Sequence, residues 1–306
     1  MLNQLKPLIQ QQSKSKRGRK AKAKPIHVSR KLELDYTRAL LAIVDDMHTE
    51  AVKALMPLIE QPSVGDSKRI VNDGLFSDFK SAFSQLSLSI RNKVSGIASA
   101  LVEVIVGKQA AEIDKQLVDL IKKQTGLGLS GLVADDAVKE AMDVAKEANI
   151  ALINSIPQQY LDRLEQAVTN AIQIGASSPL DEIDAAMDDI LRITKNRAKL
   201  IASDQLGKIT VAISRAKQAA LGITHYTWVT MRDRSVRGNP KATYRSFYSH
   251  YKRDNKVFAW NNPPPDGHPS FPINCRCLAI PYVGHLTGGL TGEEMMAQQP
   301  PMSELM

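Results

Sequence analysis

Residues 225–232 read HYTWVTMR, and the fold turns on this stretch. Its side chains alternate and are rich in β-formers, the period-two pattern of a half-buried strand. A second stretch of this kind, CLAIPYV, lies at 277–283, and aromatic, basic and proline-rich loops separate the two. From Leu32 to about Gly222 the apolar residues recur instead at helical spacing. Tyr36, Leu40, Val44, Met47, Ala51 and Leu55 form one series, and Phe76, Phe79, Phe83, Leu86, Ile90 and Ile97 form another. Both read as core stripes. A third helical stretch runs from about Asp135 to Ile174, with a break expected at Pro157, because proline removes a helical hydrogen bond. SSPLDEIDAAMDDIL then opens a helix with Ser178 as cap, Pro179 in the first turn, and Asp181 and Glu182 favoured by the helix dipole. That helix continues, with a bend, to a stop at Gly222. The expectation is an α+β protein: a mainly helical N-terminal body followed by a small C-terminal α+β domain.

Composition sets the boundaries around this core. The chain has 306 residues and is 43% hydrophobic, enough for two domains or for one with extensions. Its net charge is +8, yet residues 1–31 carry ten Lys and Arg and no acid, which leaves −2 for everything after Lys31. The basic balance (pI ≈ 9.3) therefore belongs to the N-terminus. SKSKRGRKAKAKP, residues 13–25, is low in complexity and self-repelling, so residues 1–31 are expected to be a disordered basic arm. Lys14, Lys16, Arg17, Arg19, Lys20, Lys22 and Lys24 suit phosphate contacts, with salt-sensitive and sequence-independent binding to double-stranded DNA; the bland alternative is a solubilising tail. Residues 32–190 are expected to form a helical region and 191–284 the small domain. Residues 285–306 read as a flexible tail. With two cysteines one residue apart there is no disulfide framework, and a reducing, intracellular setting is expected. The best apolar run, IASALVEVIV at 97–106, is short and contains Glu103, so no membrane span is expected.

Few residues carry recognisable chemistry. GLGLSG at 126–131 fits a dinucleotide-binding glycine pattern, but an amphipathic lysine-bearing helix precedes it where a buried strand is needed. It reads as a helix–helix connection. His250, His268, Cys275 and Cys277 alone have the composition of a metal site. In an extended segment the two thiols project to one side, and two histidines would complete a tetrahedral set. Zinc-finger knuckle spacing is absent, so packing of the thiols in a sheet stands beside a structural zinc. A metal-dependent hydrolase or nuclease on these four residues is the enzymatic alternative to an expected non-enzyme without cofactor.

RAKLIASDQLGKITVAISRAKQAALGITHYTWVTMRDRSVR, followed by FYSHYKRDNKVFAWNNPPPDGHPSFPINCRCLAIP, resembles the C-terminal domain of the phage Mu F-like family of minor head proteins. The matching places are Trp228, Asp233, Val236–Arg237, His250, Lys256–Trp260, Pro263–Pro265, His268–Pro269, Asn274, Cys275, Arg276, Cys277 and Pro281, over about residues 192–283. GNPKATYRSFYS is an insertion relative to many members, Ser270 replaces a usual glycine, and a C-x-x-C found in some relatives is missing. The resemblance implies a low-copy virion component without attached catalysis. It also implies association with the portal or major capsid protein and the head interior, presence in the host cytoplasm during assembly, and a part in DNA packaging or delivery. Within the domain, Asp233 is expected to pair with Arg237 or Arg276, and Trp228 and Trp260 to supply most of the core.

Overall fold

The computed structural model describes residue 4 and residues 6–15, 26–59, 68–126, 135–174, 179–242 and 245–306. Ser178, most of the glycine-rich stretch and arm residues Lys16–Lys24 lie outside these. The helices are α1 (Lys6–Ser15), α2 (Arg30–Ile59), α3 (Lys68–Thr125), α4 (Asp135–Ile174) and α5 (Pro179–Ala220); strands β1 (His225–Val229), β2 (Val257–Ala259) and β3 (Leu278–Pro281) follow, and then α6 (Gly292–Ala297). The α+β expectation holds. Gly222 ends the α5 region with φ +78°, a left-handed geometry that glycine adopts without a Cβ penalty.

The chain forms two compact units, and neither is a continuous stretch. One comprises Met1–Leu32, Val106–Ala145 and Asp204–Met306, the other Glu33–Ile105 and Lys146–Ser203. The expected boundary near 32 coincides with one edge of these bodies, whereas those at 190 and 284 do not. The reason is length: α3 has 58 residues, which at 1.5 Å per residue makes it roughly 85 Å long, more than one small core can cover. Its two ends belong to different units.

The purely helical unit is built on the expected α2 stripe. Tyr36, Leu40, Val44, Met47, Ala51 and Leu55 are all buried. Polar groups lock this stripe to its neighbours: Tyr36 Oη donates to Asn149 Oδ1 of α4 (3.1 Å), and His48 Nδ1 meets Tyr160 Oη of α4 at 3.0 Å. Phe79, Phe83, Leu86 and Ile90 of α3 are buried as expected, but Ile97 is 40% exposed. The buried line continues through Val94, Ala98 and Val102 instead, following the 3.6-residue period more closely than the sequence grouping did. Ser77–Thr125 is long and apolar enough to cross a membrane by length and composition alone, with 39% of its apolar window buried. Within it Val94, Ala98, Val102, Ile105 and Val106 are buried, while Ile97 and Val104 are exposed. Pro157 does not interrupt α4. A mid-helix proline costs about 3 kcal/mol; Ile153, Ile156, Tyr160 and Leu161, buried on both sides of it, offset that cost. The Ser155 hydroxyl also donates to the Leu152 carbonyl (2.6 Å) just before the bond that proline removes.

The other unit carries the sheet. β1 is central, antiparallel to both β2 and β3, with Tyr226 opposite Phe258 and Pro281, and Trp228 opposite Ala279. Alternation puts Tyr226 and Trp228 on one face, where they form a core with Val211 of α5, Phe258, Trp260, Cys277, Ala279 and Leu305. The Trp260 indole N–H donates to Gln218 Oε1 of α5 (3.1 Å), fixing helix to sheet. Deeper in the unit, Gln109 of α3 donates to Thr210 of α5 at 3.0 Å.

Both chain ends depart from expectation. Residues Lys6–Ser15 are helical rather than disordered, because Ile9, with no exposed surface, and Ile26 at 2% anchor this end. His27 and Gln116 exchange two hydrogen bonds, 2.8 and 3.2 Å. Residues 285–306 are not a flexible tail. Helix α6 starts with a capping box between Thr291 and Glu294, and Leu305 enters the sheet core. Gln299 accepts from Val257 N (2.5 Å) and donates to Val257 O (2.9 Å), behaving as an extra strand partner for the edge strand β2.

Candidate metal centre

The long loops between the strands bring together part of the expected cluster. His250 precedes a short 3-10 turn, Tyr251–Arg253, and the cysteines immediately precede β3. His250 is 1% exposed and Cys277 4%, while Cys275 is half-buried. His250 Nδ1 lies 3.4 Å from Cys275 Sγ and 3.5 Å from Cys277 Sγ. All three donor atoms fall within 4.8 Å of one another.

The opposite side of the ring is fixed. His250 Nε2 donates to Asp266 Oδ2 (2.8 Å), and the other carboxylate oxygen accepts from Arg253 Nη1 (2.6 Å). Arg253 is wholly buried and lies 5.0 Å over the Trp228 ring and 6.0 Å from that of Tyr248, so aromatic faces surround its charge. With Nε2 committed to a carboxylate, Nδ1 is the atom aimed at sulfur. Burial pulls His250 down, but the bonds with Asp266 and Cys275 outweigh it and leave its pKa raised. Burial likewise opposes ionisation of Asp266, and His250 and Arg253 override it and hold the carboxyl below its usual range. The Cys275 thiol is held well down, first by Cys277 and then, against burial, by His250; Cys277 is pushed up by Cys275 and by burial. One sulfur is thus favoured as the thiolate.

Ser270 supports that sulfur. Its backbone N–H points at Cys275 Sγ (3.3 Å) and its hydroxyl donates to the Cys277 carbonyl (2.9 Å). Ser270 has φ +65°, a left-handed geometry that costs a residue with a Cβ about 1–2 kcal/mol. This accounts for glycine as the usual residue there, and the two Ser270 bonds compensate for the departure. Asn274, also left-handed at φ +62°, donates its N–H to Asp204 of α5 (3.0 Å) and ties the cysteine loop to the helix.

The structure does not bring His268 into the group. Its Nδ1 meets Tyr226 Oη at 3.0 Å, and its ring packs 5.0 Å from that of Trp260, beside the aromatic core. Burial, assisted by the Arg215 charge, brings its pKa down to about 4. The remaining motif residues hold loops. Arg276 pairs with Asp233 (2.6 Å) and also reaches Ser235, while Arg237 donates to the Ile273 carbonyl (2.7 Å). The expected partner of Asp233 is therefore Arg276, through one nitrogen. Pro269 is buried next to His268. Asp266 and Arg253 were missed by sequence reasoning, since an Asp in PPPDGH reads only as a turn residue.

Residues 162–280 match the family described as Phage Mu protein F like protein. This chain carries a Mu F-like region. It begins within α4, upstream of residue 192 where the motifs become recognisable, and it contains β1, β2, His250, both cysteines and all of β3 but Pro281. The match is to a phage head morphogenesis family and covers residues 162–280. The chain is also 28% identical over 297 residues to an uncharacterized protein of Haemophilus influenzae. That alignment covers 94% of this chain and 61% of the relative, so the Mu F-like chain spans under two thirds of the relative's length. No solved structure matches.

Proposed function

We propose that this Mu F-like protein is a non-enzymatic minor component of the phage head, assembled against portal or capsid subunits and in contact with packaged DNA. The family match over residues 162–280 carries the reading. Exposed apolar side chains on the Mu F-like loops supply a contact surface of the right kind: Phe247 is 82% exposed, Ile273 61%, Phe271 46% and Tyr251 44%. Arg237 links two of them, receiving the Tyr251 N–H at its carbonyl and donating to Ile273 O. Exposed aromatics are enriched where proteins meet other proteins. The seven basic residues from Lys14 to Lys24 supply the DNA contact, and each phosphate neutralised steepens the salt dependence.

Cross-linking mass spectrometry on assembled heads tests the reading. Cross-links to portal or capsid subunits are expected, together with co-purification with procapsids; a chain absent from procapsids and heads refutes it. For the arm, deletion of residues 13–24 is expected to abolish salt-sensitive DNA binding, and unchanged binding refutes that part. The His–Cys–Cys group favours one second reading, a metal-dependent hydrolase or nuclease, because three protein ligands plus one further position is a catalytic zinc pattern. Turnover of nucleic acid or ester substrates that disappears in Cys275→Ala would establish it.

A further inference from the structure

We propose that His250 Nδ1, Cys275 Sγ and Cys277 Sγ hold one divalent transition-metal ion of the zinc type, a structural clasp that fastens the loop at 250 to the strand entry at 275–277. The assignment stands apart from any role in the head and rests on two independent geometric observations.

The first is spacing. Zn–S bonds of about 2.3 Å and Zn–N bonds of about 2.05 Å at a tetrahedral angle separate sulfur from nitrogen by about 3.6 Å. The two N···S distances, 3.4 and 3.5 Å, fit an ion seated among the donors with almost no movement. The second is the outer shell. A metal-bound histidine normally donates its other ring N–H to a carboxylate, which fixes the ring and raises its basicity. Asp266 does this at 2.8 Å and is itself held by Arg253 at 2.6 Å. The Ser270 N–H directed at Cys275 Sγ supplies the hydrogen bond that a thiolate ligand accepts. The charge balance agrees: Arg253 and Asp266 cancel, and a divalent ion bound by two thiolates and a neutral imidazole leaves the buried group without net charge, which burial favours. Thiolate and imidazole donors select zinc-like ions over magnesium or calcium. Among the described residues no fourth protein donor joins the three. Asp266 acts as a positioning residue.

The test uses the full chain, purified without a histidine tag, and elemental analysis. About one zinc per chain is expected in the wild type, with loss in the Cys275→Ser/Cys277→Ser pair and retention in His268→Gln. After the metal is stripped, added cobalt(II) is expected to give a thiolate-to-cobalt charge-transfer band. Asp266→Asn should weaken zinc binding about 10–100-fold while preserving that band. Wild-type protein with no stoichiometric metal and no cobalt band overturns the proposal, and so does a Cys275–Cys277 disulfide found in protein isolated under non-reducing conditions. Undiminished metal in the double cysteine variant also overturns it. If that variant does not fold, the wild-type metal content and the cobalt spectrum still decide the matter.

Discussion

Acid should weaken the sheet-bearing unit through one side chain, His268. It is 3% exposed, its Nδ1 meets Tyr226 Oη, and its ring lies 5.0 Å from that of Trp260. Burial first, and the Arg215 charge second, bring its pKa down to about 4, whereas an unfolded histidine titrates near about 6.5. The sign follows from which state takes the proton. Above about pH 6.5 both states are neutral and His268 contributes no pH dependence. As pH falls, the unfolded chain gains a proton that the folded one refuses until about pH 4, so stability declines. The gap corresponds to a loss of about 2 kcal/mol at about pH 5 and about 3 kcal/mol at about pH 4. The assay is urea unfolding followed by tryptophan fluorescence. The chain has two tryptophans, and both lie in this core, so the signal reports this unit. His268→Gln removes the titration. Between about pH 7.5 and about pH 5 the wild type should lose about 2 kcal/mol more than the variant; parallel curves would refute the account. The wild-type-minus-variant difference cancels contributions from Asp233, Asp266 and His250.

Three further outcomes are expected in the same unit. Leu305→Ala should cost about 2–4 kcal/mol, measured by the same unfolding curves, because Leu305 is 5% exposed within the core; a cost near zero would return residues 285–306 to the status of a loose tail. Asp233→Ala and Arg276→Ala should each cost less than about 1 kcal/mol, since the pair is 44% and 53% exposed, and a double-mutant cycle should find that coupling reduced by salt. Gly238→Ala should lower the melting temperature. Gly238 has φ +73° and an added Cβ would lie 2.7 Å from Ser249 Cα, next to His250; an unchanged melting temperature would show that the loop can shift freely.

How much of this could be read from the residues varies by element. The α2 stripe and β1 were legible because each buries a periodic series. The pairing of Asp233 was half legible, since Arg237 and Arg276 were both candidates and the loop path alone selects Arg276. His250 and His268 could not be told apart, because their roles depend on loops that close around them rather than on local pattern. The folded C-terminus stayed hidden since Met302 and Leu305 are isolated apolar residues, and Gln299 substitutes for a strand through backbone bonds that no periodicity records. The unit boundaries fall inside α2, α3, α4 and α5, where each helix runs on without a break in the pattern.

That discontinuity has a consequence for synthesis on the ribosome. Helix α1 rests against the turn Gly284–Thr287 within its own unit, so its partner is translated some 270 residues later. At about 5–20 residues per second, the Ile9 face must wait roughly 15–50 s for its cover. During that interval the apolar Ile9 face is open to chaperones or to any other surface that can cover it.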